Sequence, residues 1–513
     1  MNGAESLVRT ARAAGLEICF ANPGTTELPL VAALDREPGI RAVLGLFEGV
    51  CTGAADGYAR MADRPALTLL HLGPGFANGI ANLHNARRAR SPVVNLIGDH
   101  ATWHLPHDAP LTSDIVSLAS PVSAWVRTCR SSKELAGDFA EAISAAWRPP
   151  GQVATLIAPA DCQWDPADGA ARPRPRESLP RPDAGRVEAT ARRLRQSTSP
   201  ALLLGLGALR EPGLCAAARV AAATGAALLC EVFPTRIERG AGRPRLEKLP
   251  YFPEQAQQRL AGCDAVVLAG AREPVSFFGY PGVASRLAPE GAEIVLATPD
   301  EDAAAALGDL ADALDAPLHA PAAADLPLPG MPGGALTPAT LGAALAMLQP
   351  EGAIVVDEGA TSGLPYFLAA EASPPHSYLA LTGGAIGQGL PCATGAALAC
   401  PQRKVISLQA DGSGFYTLQA LWTQAREQLD VVTLICANRS YRILQIELAR
   451  AGIAEPGPNA RALTDLSHPA PDWTALARGF GVPATRAQTA EELGRALAAA
   501  LAAPGPALIE AIL

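Results

Sequence analysis

Three places along the chain combine residue types that can do chemistry. Asp411 opens the run Asp411-Gly412-Ser413-Gly414, and Asn438 follows 27 positions later, two residues before Ser440. A carboxylate, an amide oxygen and a nearby main-chain carbonyl suit a hard divalent cation such as Mg²⁺, which keeps phosphate oxygens among its remaining ligands. Gly412–Gly414 let backbone N–H groups approach a phosphate, and the helix N-terminus adds a partial positive charge. The pattern reads as metal plus diphosphate, although an ordinary Asx turn between strand and helix carries the same residues. Glu48, in Leu46-Phe47-Glu48-Gly49-Val50, is a carboxylate in apolar company. It either caps the helix that follows or serves a site, because charge is seldom buried without a reason. His71 closes an apolar run and can exchange protons near neutral pH, while a lone histidine at a strand end is ordinarily structural.

The elements that must hold these residues follow from hydrophobic spacing. Val405–Leu408 is an apolar run of strand length, Phe415–Glu427 has helical spacing, and Val431–Cys436 is a second apolar run. The right-handed crossover of such a βαβ unit makes its strands parallel. If they are neighbours, Asp411 and Asn438 share the carboxyl edge, where open α/β sheets bind ligands. In the first third, Glu5–Ala14, Leu28–Leu34 and Gly49–Met61 read as helices, and Ile18–Phe20, Ala42–Leu46, Ala66–His71 and Val93–Ile97 as strands. The middle third offers Ala201–Leu206, Ala226–Cys230, Ala265–Ala269 and Glu293–Ala297, a Rossmann-like series. The last adds strands Ala353–Val356 and Ala507–Leu513 and the helix Leu390–Leu398. Stretches rich in proline at 164–186 and 316–338 read as linkers. The expected fold is α/β with three domains, over residues 1–165, 186–318 and 336–513, each a mainly parallel sheet flanked by helices.

The whole chain narrows the classes. Its 513 residues exceed one ordinary domain, and 49% hydrophobic with 18% charged residues is globular. A net charge of −9 disfavours nucleic acid or anionic membrane as the main partner. No apolar run approaches the ~18 residues that span a bilayer, and no basic n-region precedes the first helix. The ten cysteines are scattered, without a C-x-x-C pair, as expected of free thiols in a reducing cytoplasm.

Asp411-Gly412 followed by Asn438 resembles the thiamin-diphosphate signature of the family that includes benzoylformate decarboxylase, acetolactate synthase and pyruvate decarboxylase. The resemblance covers essentially the whole chain and implies pyrimidine-binding, central Rossmann-like and diphosphate-binding domains. It implies that Asp411, Asn438 and the carbonyl of Ser440 hold Mg²⁺. Ala410 and Ala437 stand where the family usually has Gly and Asn, and neither change removes a ligand. Glu48-Gly49, followed by Ala54-Ala55-Asp56-Gly57-Tyr58-Ala59-Arg60, resembles the family's glutamate motif. By that likeness Glu48 hydrogen-bonds N1′ of the aminopyrimidine, and a dry pocket that raises its pKa lets it share a proton there. Gly383-Gly384-Ala385-Ile386-Gly387 matches the segment in which Ile386 would prop the folded cofactor and the Gly384 carbonyl would meet the 4′-nitrogen. A glycine-rich turn before a helix reads the same locally. Thr361, Gly412, Ser413 and Tyr441 complete the expected cofactor contacts. In the family the glutamate and the metal turn meet across a subunit boundary, which implies a homodimer or homotetramer.

Asn22-Pro23-Gly24-Thr25-Thr26-Glu27-Leu28-Pro29 resembles the benzoylformate decarboxylase segment whose hydroxyl touches the substrate carboxylate, here Thr25. His71, 23 residues after Glu48, matches a pocket histidine of that enzyme. Its second pocket histidine has no counterpart; Ser276–Gly282 offers aromatic carbon instead. His100, His104 and His107 either replace it or are exposed loop residues. Acetolactate synthase is the rival, opposed by Leu111 where that enzyme has Gln and by a chain that ends on a strand. Leu203-Gly205-Gly207 is too sparse for a flavin pattern, so FAD is not expected. The expectation is a cytoplasmic, thiamin-diphosphate- and Mg²⁺-dependent lyase that converts an aromatic or bulky 2-oxo acid to aldehyde and CO₂. Acetolactate-type carboligation, a transferase reaction, stands second. A non-catalytic cofactor-binding relative stands third, and retention of Glu48 speaks against it.

Overall fold

The computed structural model describes residues 1–319 and 327–513, so 320–326 of the second proline-rich stretch lie outside the described residues. Three mainly parallel sheets are flanked by helices, as the alternation of apolar runs and helical spacing requires. The first sheet contains β1 (Ile18–Asn22), β2 (Arg41–Leu44), β3 (Ala66–His71), β4 (Val93–Asp99), β5 (Trp125–Thr128) and β6 (Val153–Pro159). Their order is β2-β1-β3-β4-β6-β5, all parallel. β4 and β6 are buried along their whole length, because helices cover both faces of a parallel sheet. The chain winds outward in opposite directions from β1 and β3, so the crevice for a ligand lies beyond Asn22 and His71.

The second sheet contains β7 (Pro200–Leu204), β8 (Ala227–Cys230), β10 (Glu247–Lys248), β11 (Ala265–Ala269) and β12 (Glu293–Ala297), in the order β10-β8-β7-β11-β12. β9 (Ile237–Arg239) instead pairs antiparallel with β14 (His376–Ala380). The last third builds β13 (Ile354–Glu358), β15 (Val405–Ala410), β16 (Val431–Ala437), β17 (Ala484–Ala487) and β18 (Ala507–Ile512). These run parallel as β17-β18-β16-β15-β13. The chain divides into two compact units. One comprises Met1–Glu177, Leu328–Ala370 and Leu381–Leu513, and the other Ser178–Pro327 with Glu371–Ala380.

Within the first unit one helix pair joins the first third to the last. The helix Glu48–Ala62 is buried from Gly49 to Met61 and packs on the helix Gly389–Ala399, itself buried from Gly389 to Ala397. The backbones touch: a Cβ added at Gly57 would lie 2.0 Å from the Cys392 carbonyl oxygen, and one at Gly395 1.8 Å from that of Ala54. Alanine and glycine fill both helices because nothing larger fits between them. A buried ion pair is set into this contact. Arg60 donates from Nε to Asp56 Oδ1 at 2.8 Å, with both side chains fully enclosed.

Several elements differ from their expected bounds for physical reasons. The helix expected over Phe415–Glu427 is a single turn, Asp411–Gly414, and a separate helix, Ala420–Arg426. Tertiary contacts hold the residues between: the Phe415 ring packs tilted against Trp473 with centroids 4.7 Å apart, and Thr417 Oγ donates to the Gly387 carbonyl at 2.8 Å. β2 ends at Leu44, before the expected Leu46, where Gly45 turns toward Cys51. β13 runs two residues past the expected Val356, through Asp357 and Glu358, both buried. Two acidic residues at a strand end look like a loop in sequence and are interior here.

Candidate active site

β15 and β16 pair with Ala410 opposite Cys436, so Asp411 and Asn438 leave adjacent strand ends on one edge. Asp411 is 2% exposed. Its Oδ1 accepts from Gly412 N at 2.8 Å and its Oδ2 from Arg439 N at 2.6 Å. Asn438 Oδ1 accepts from Ser440 N at 3.0 Å. Arg439 sits at φ 55°, and this left-handed kink folds the Asn438–Ser440 backbone back toward Asp411. Burial pushes the Asp411 carboxyl above its ordinary range, and it makes no ion pair among the described residues. A buried carboxylate in no ion pair, next to an amide oxygen, fits a hard divalent cation. With one carboxylate only, this is not a protein-only cage, and the described residues hold no group of three His, Cys, Asp or Glu suited to a metal.

The residues expected at the diphosphate lie around this turn. Gly412 donates its N–H to Asp411 rather than outward, and the Tyr441 ring packs against it, so a Cβ there would lie 2.6 Å from Tyr441 Cε1. Ser413 Oγ accepts from Gln409 Nε2 at 2.6 Å and donates to the Ala410 carbonyl at 3.2 Å. Thr361 is half-buried in the single turn Ala360–Ser362 that follows β13.

The segment 382–389, which carries Gly384 and half-buried Ile386, lies against the helix Leu72–Ala89. Asn85 brackets Ala385, donating to its carbonyl at 2.8 Å and accepting from its N–H at 3.2 Å. Gly384 has φ 75°, which only glycine adopts without strain. Asn82 Nδ2 donates both to the Gly49 carbonyl at 2.8 Å and to that of Gly387 at 3.3 Å. One side chain therefore ties this segment to the residue next to Glu48.

Glu48 begins its helix, with Phe47 extended before it and no side-chain cap. It is half-buried, and its Oε2 accepts from Asn78 Nδ2 at 2.9 Å. The fully dry pocket expected around it is not built by the described residues of this one chain. Nor does a hydrogen bond or ion pair among them join Glu48 directly to Asp411 or Asn438. A Cβ placed on Gly75 would lie 3.0 Å from Glu48 Oε1 and 3.3 Å from His71 Cβ. Glu48 and His71, two of the three expected catalytic side chains, therefore leave adjoining positions at the first-sheet crevice.

His71 does not stand alone. Its Nδ1 lies 2.8 Å from Oε2 of Glu27, a carboxylate with no exposed surface. Gly24 N donates to the same oxygen at 2.7 Å, and Thr26 Oγ to Oε1 at 2.6 Å. The carboxylate accepts from Nδ1–H, which leaves Nε2 as the free ring nitrogen. Thr26, not Thr25, contacts the pair; Thr25 is exposed. Sequence reading missed Glu27 as a functional residue although it lies inside the quoted segment. The available signal was an acidic residue three positions after a glycine at a strand end. Glu358 was missed as well. Its Oε1 accepts from Gly387 N at 2.6 Å and its Oε2 from Gly389 N at 2.5 Å. Burial pushes it up to about 7 against those donors. His100, His104 and His107 form a ring ladder with centroids 5.4 Å and 5.8 Å apart, His107 exposed and the other two half-buried.

Comparison with known proteins identifies the family. Residues 1–118 match the family described as "Thiamine pyrophosphate enzyme, N-terminal TPP binding domain", and 361–511 its "C-terminal TPP binding domain". The chain belongs to the thiamine pyrophosphate-dependent enzymes, the family of decarboxylases and acetolactate synthases. It is 52% identical to a Mycobacterium tuberculosis protein named "Putative acetolactate synthase large subunit IlvX", over 100% of this chain and 99% of that one. It is 34% identical to benzoylformate decarboxylase of Pseudomonas aeruginosa, over 97% and 96%. Its structure matches the thiamine diphosphate-dependent 4-hydroxybenzoylformate decarboxylase of Rhodococcus jostii RHA1 with a TM-score of 0.89. Identity there is 27%, covering 100% of this chain and 99% of the other. Among the described residues, no helix is long and apolar enough to cross a membrane.

Proposed function

We propose that the protein decarboxylates an aromatic or bulky 2-oxo acid to an aldehyde and CO₂, with thiamin diphosphate held through Mg²⁺. The observation that carries this reading is the pairing of half-buried His71 with buried Glu27, beside Glu48 at the first-sheet crevice. Asp411, Asn438 and the Ser440 carbonyl would hold the metal and Gly384, Ile386, Thr361, Ser413 and Tyr441 the cofactor, which supplies a carbon nucleophile and an electron sink when bound. Glu48 is placed to hydrogen-bond the aminopyrimidine where that ring is expected. Glu27 fixes the His71 ring through Nδ1, which leaves Nε2 to pass on the one proton that the aldehyde product takes up. The Thr25 hydroxyl, exposed at the same crevice, orients the substrate carboxylate. Likeness to the benzoylformate decarboxylases over nearly the whole chain supports the substrate class.

A second copy completes the site in this reading. The helices Arg442–Arg450 and Pro458–Ala462, which follow the Asn438 turn, contain no buried residue, and Leu444, Ile453 and Leu463 are exposed. Such an apolar surface beside the metal turn suits a subunit boundary, giving a homodimer or homotetramer, and ten free cysteines suit a reducing cytoplasm. Acetolactate-type carboligation is the second reading, favoured by the 52% identity to the mycobacterial protein. The test is CO₂ release by the purified protein with thiamin diphosphate and Mg²⁺, across a panel from pyruvate to phenylglyoxylate. Aldehyde from phenylglyoxylate supports the first reading and acetolactate from pyruvate the second. Silence across the panel overturns both. Chelation of Mg²⁺ should release the cofactor, and unchanged retention would refute the metal assignment.

A further inference from the structure

The segment 382–389 is held at one end by a buried carboxylate, Glu358, and at the other by the buried Asp56–Arg60 pair, none of which has a role in the reading above. At one end Glu358 lies at the tip of β13, 4% exposed, and accepts from the N–H groups of Gly387 and Gly389 at 2.6 Å and 2.5 Å. Gln409 Nε2 donates to the same Oε2 at 3.3 Å and to Ser413 Oγ at 2.6 Å, two residues from Asp411. At the other end Arg60 is paired with Asp56 and donates to Thr382 Oγ at 2.8 Å. Gln388 Nε2 donates to Asp56 Oδ2 at 2.5 Å, which links the two grips. Two backbone N–H groups and one amide converging on a single buried carboxylate leave it one position, and they leave the segment one position against it.

We propose that Glu358 is a positioning residue that fixes the height of the Gly384–Ile386 segment over the Asp411 turn, with Asp56–Arg60 as the opposing anchor. It rests on the reading that this segment and that turn hold the two ends of one cofactor. An amide at position 358 presents an NH₂ toward a backbone N–H, so either Gly387 or Gly389 loses its acceptor and the segment shifts.

The test compares wild type, Glu358→Gln and Thr382→Val. Thiamin diphosphate affinity is read from quenching of intrinsic fluorescence in the presence of Mg²⁺, and hydrogen exchange is followed over 382–389 without cofactor. Both variants should weaken cofactor binding about 10- to 100-fold, as is usual when a supporting partner is lost. Exchange at Gly387 and Gly389 should rise in Glu358→Gln, while exchange in β15 and β16 stays unchanged. Affinity within about twofold of wild type, or exchange unchanged in the segment, overturns the proposal. If Glu358→Gln does not fold, Glu358→Asp, which keeps the charge but withdraws it from Gly387 and Gly389, is read in its place by the same two measurements. Because neither readout needs turnover, a protein that releases no CO₂ but shows both changes refutes the proposed reaction and leaves the positioning role standing.

Discussion

Replacing Glu27 by Gln isolates the one interaction that makes His71 more than a strand-end histidine. Glu27 has no exposed surface and accepts three hydrogen bonds: from Gly24 N at 2.7 Å, from Thr26 Oγ at 2.6 Å and from His71 Nδ1 at 2.8 Å. Glutamine keeps the shape but removes the negative charge that the imidazole faces, and its NH₂ lies either against the Thr26 hydroxyl, which can turn to accept, or against Gly24 N–H and His71 Nδ1–H, which cannot. A hydrogen bond to a buried charged group contributes about 1.5–3 kcal/mol. If that free energy holds the imidazole in its working orientation, its loss lowers the productive population about 10- to 150-fold, since ~1.4 kcal/mol is a factor of ten. The assay is kcat/KM for decarboxylation by the cofactor-loaded enzyme, with phenylglyoxylate as substrate. Gly98→Ala provides an orthogonal perturbation, because a Cβ there would lie 1.8 Å from Glu27 Oε1 and would displace the carboxylate without removing it. Both variants should fall by similar factors while cofactor affinity stays near wild type. If Glu27→Gln keeps kcat/KM within about twofold, Glu27 does not orient a working histidine.

Three further expectations follow from other parts of the molecule. Glu48→Gln should leave cofactor affinity within about tenfold (~1.4 kcal/mol) and cut turnover severely; unchanged turnover would remove Glu48 from the activating role. Gly395→Ala should destabilise the helix pair, since its Cβ would sit 1.8 Å from the Ala54 carbonyl oxygen and overpacking costs about 1–3 kcal/mol or more. Thermal denaturation checks this, and an unchanged midpoint would show that the two backbones separate freely. Glu358 is pushed by burial to about 7, above its ordinary 4.5. Between those values the folded chain binds more protons than the unfolded one, so this group's contribution to stability falls as pH rises through the window. Glu358→Gln should flatten that slope in melting curves taken at about pH 5 and about pH 8, and an unaltered slope would assign it to other groups.

The sequence by itself determined the alternation of buried strands and helices. Parallel strands covered on both faces are continuous apolar runs, visible at Val93–Ile97, Val405–Leu408 and Val431–Cys436 without knowledge of their partners. It also determined the Asp411…Asn438 spacing, because the two residues follow strands that one crossover makes neighbours. Tertiary structure alone decided that Glu27 serves His71 and that Glu358 serves Gly387 and Gly389. These partners lie 44, 29 and 31 positions apart. They meet only after β1 pairs with β3 and the glycine-rich segment folds back over the end of β13. A buried carboxylate needs its donors nearby in space, and no local pattern records which distant backbone will supply them.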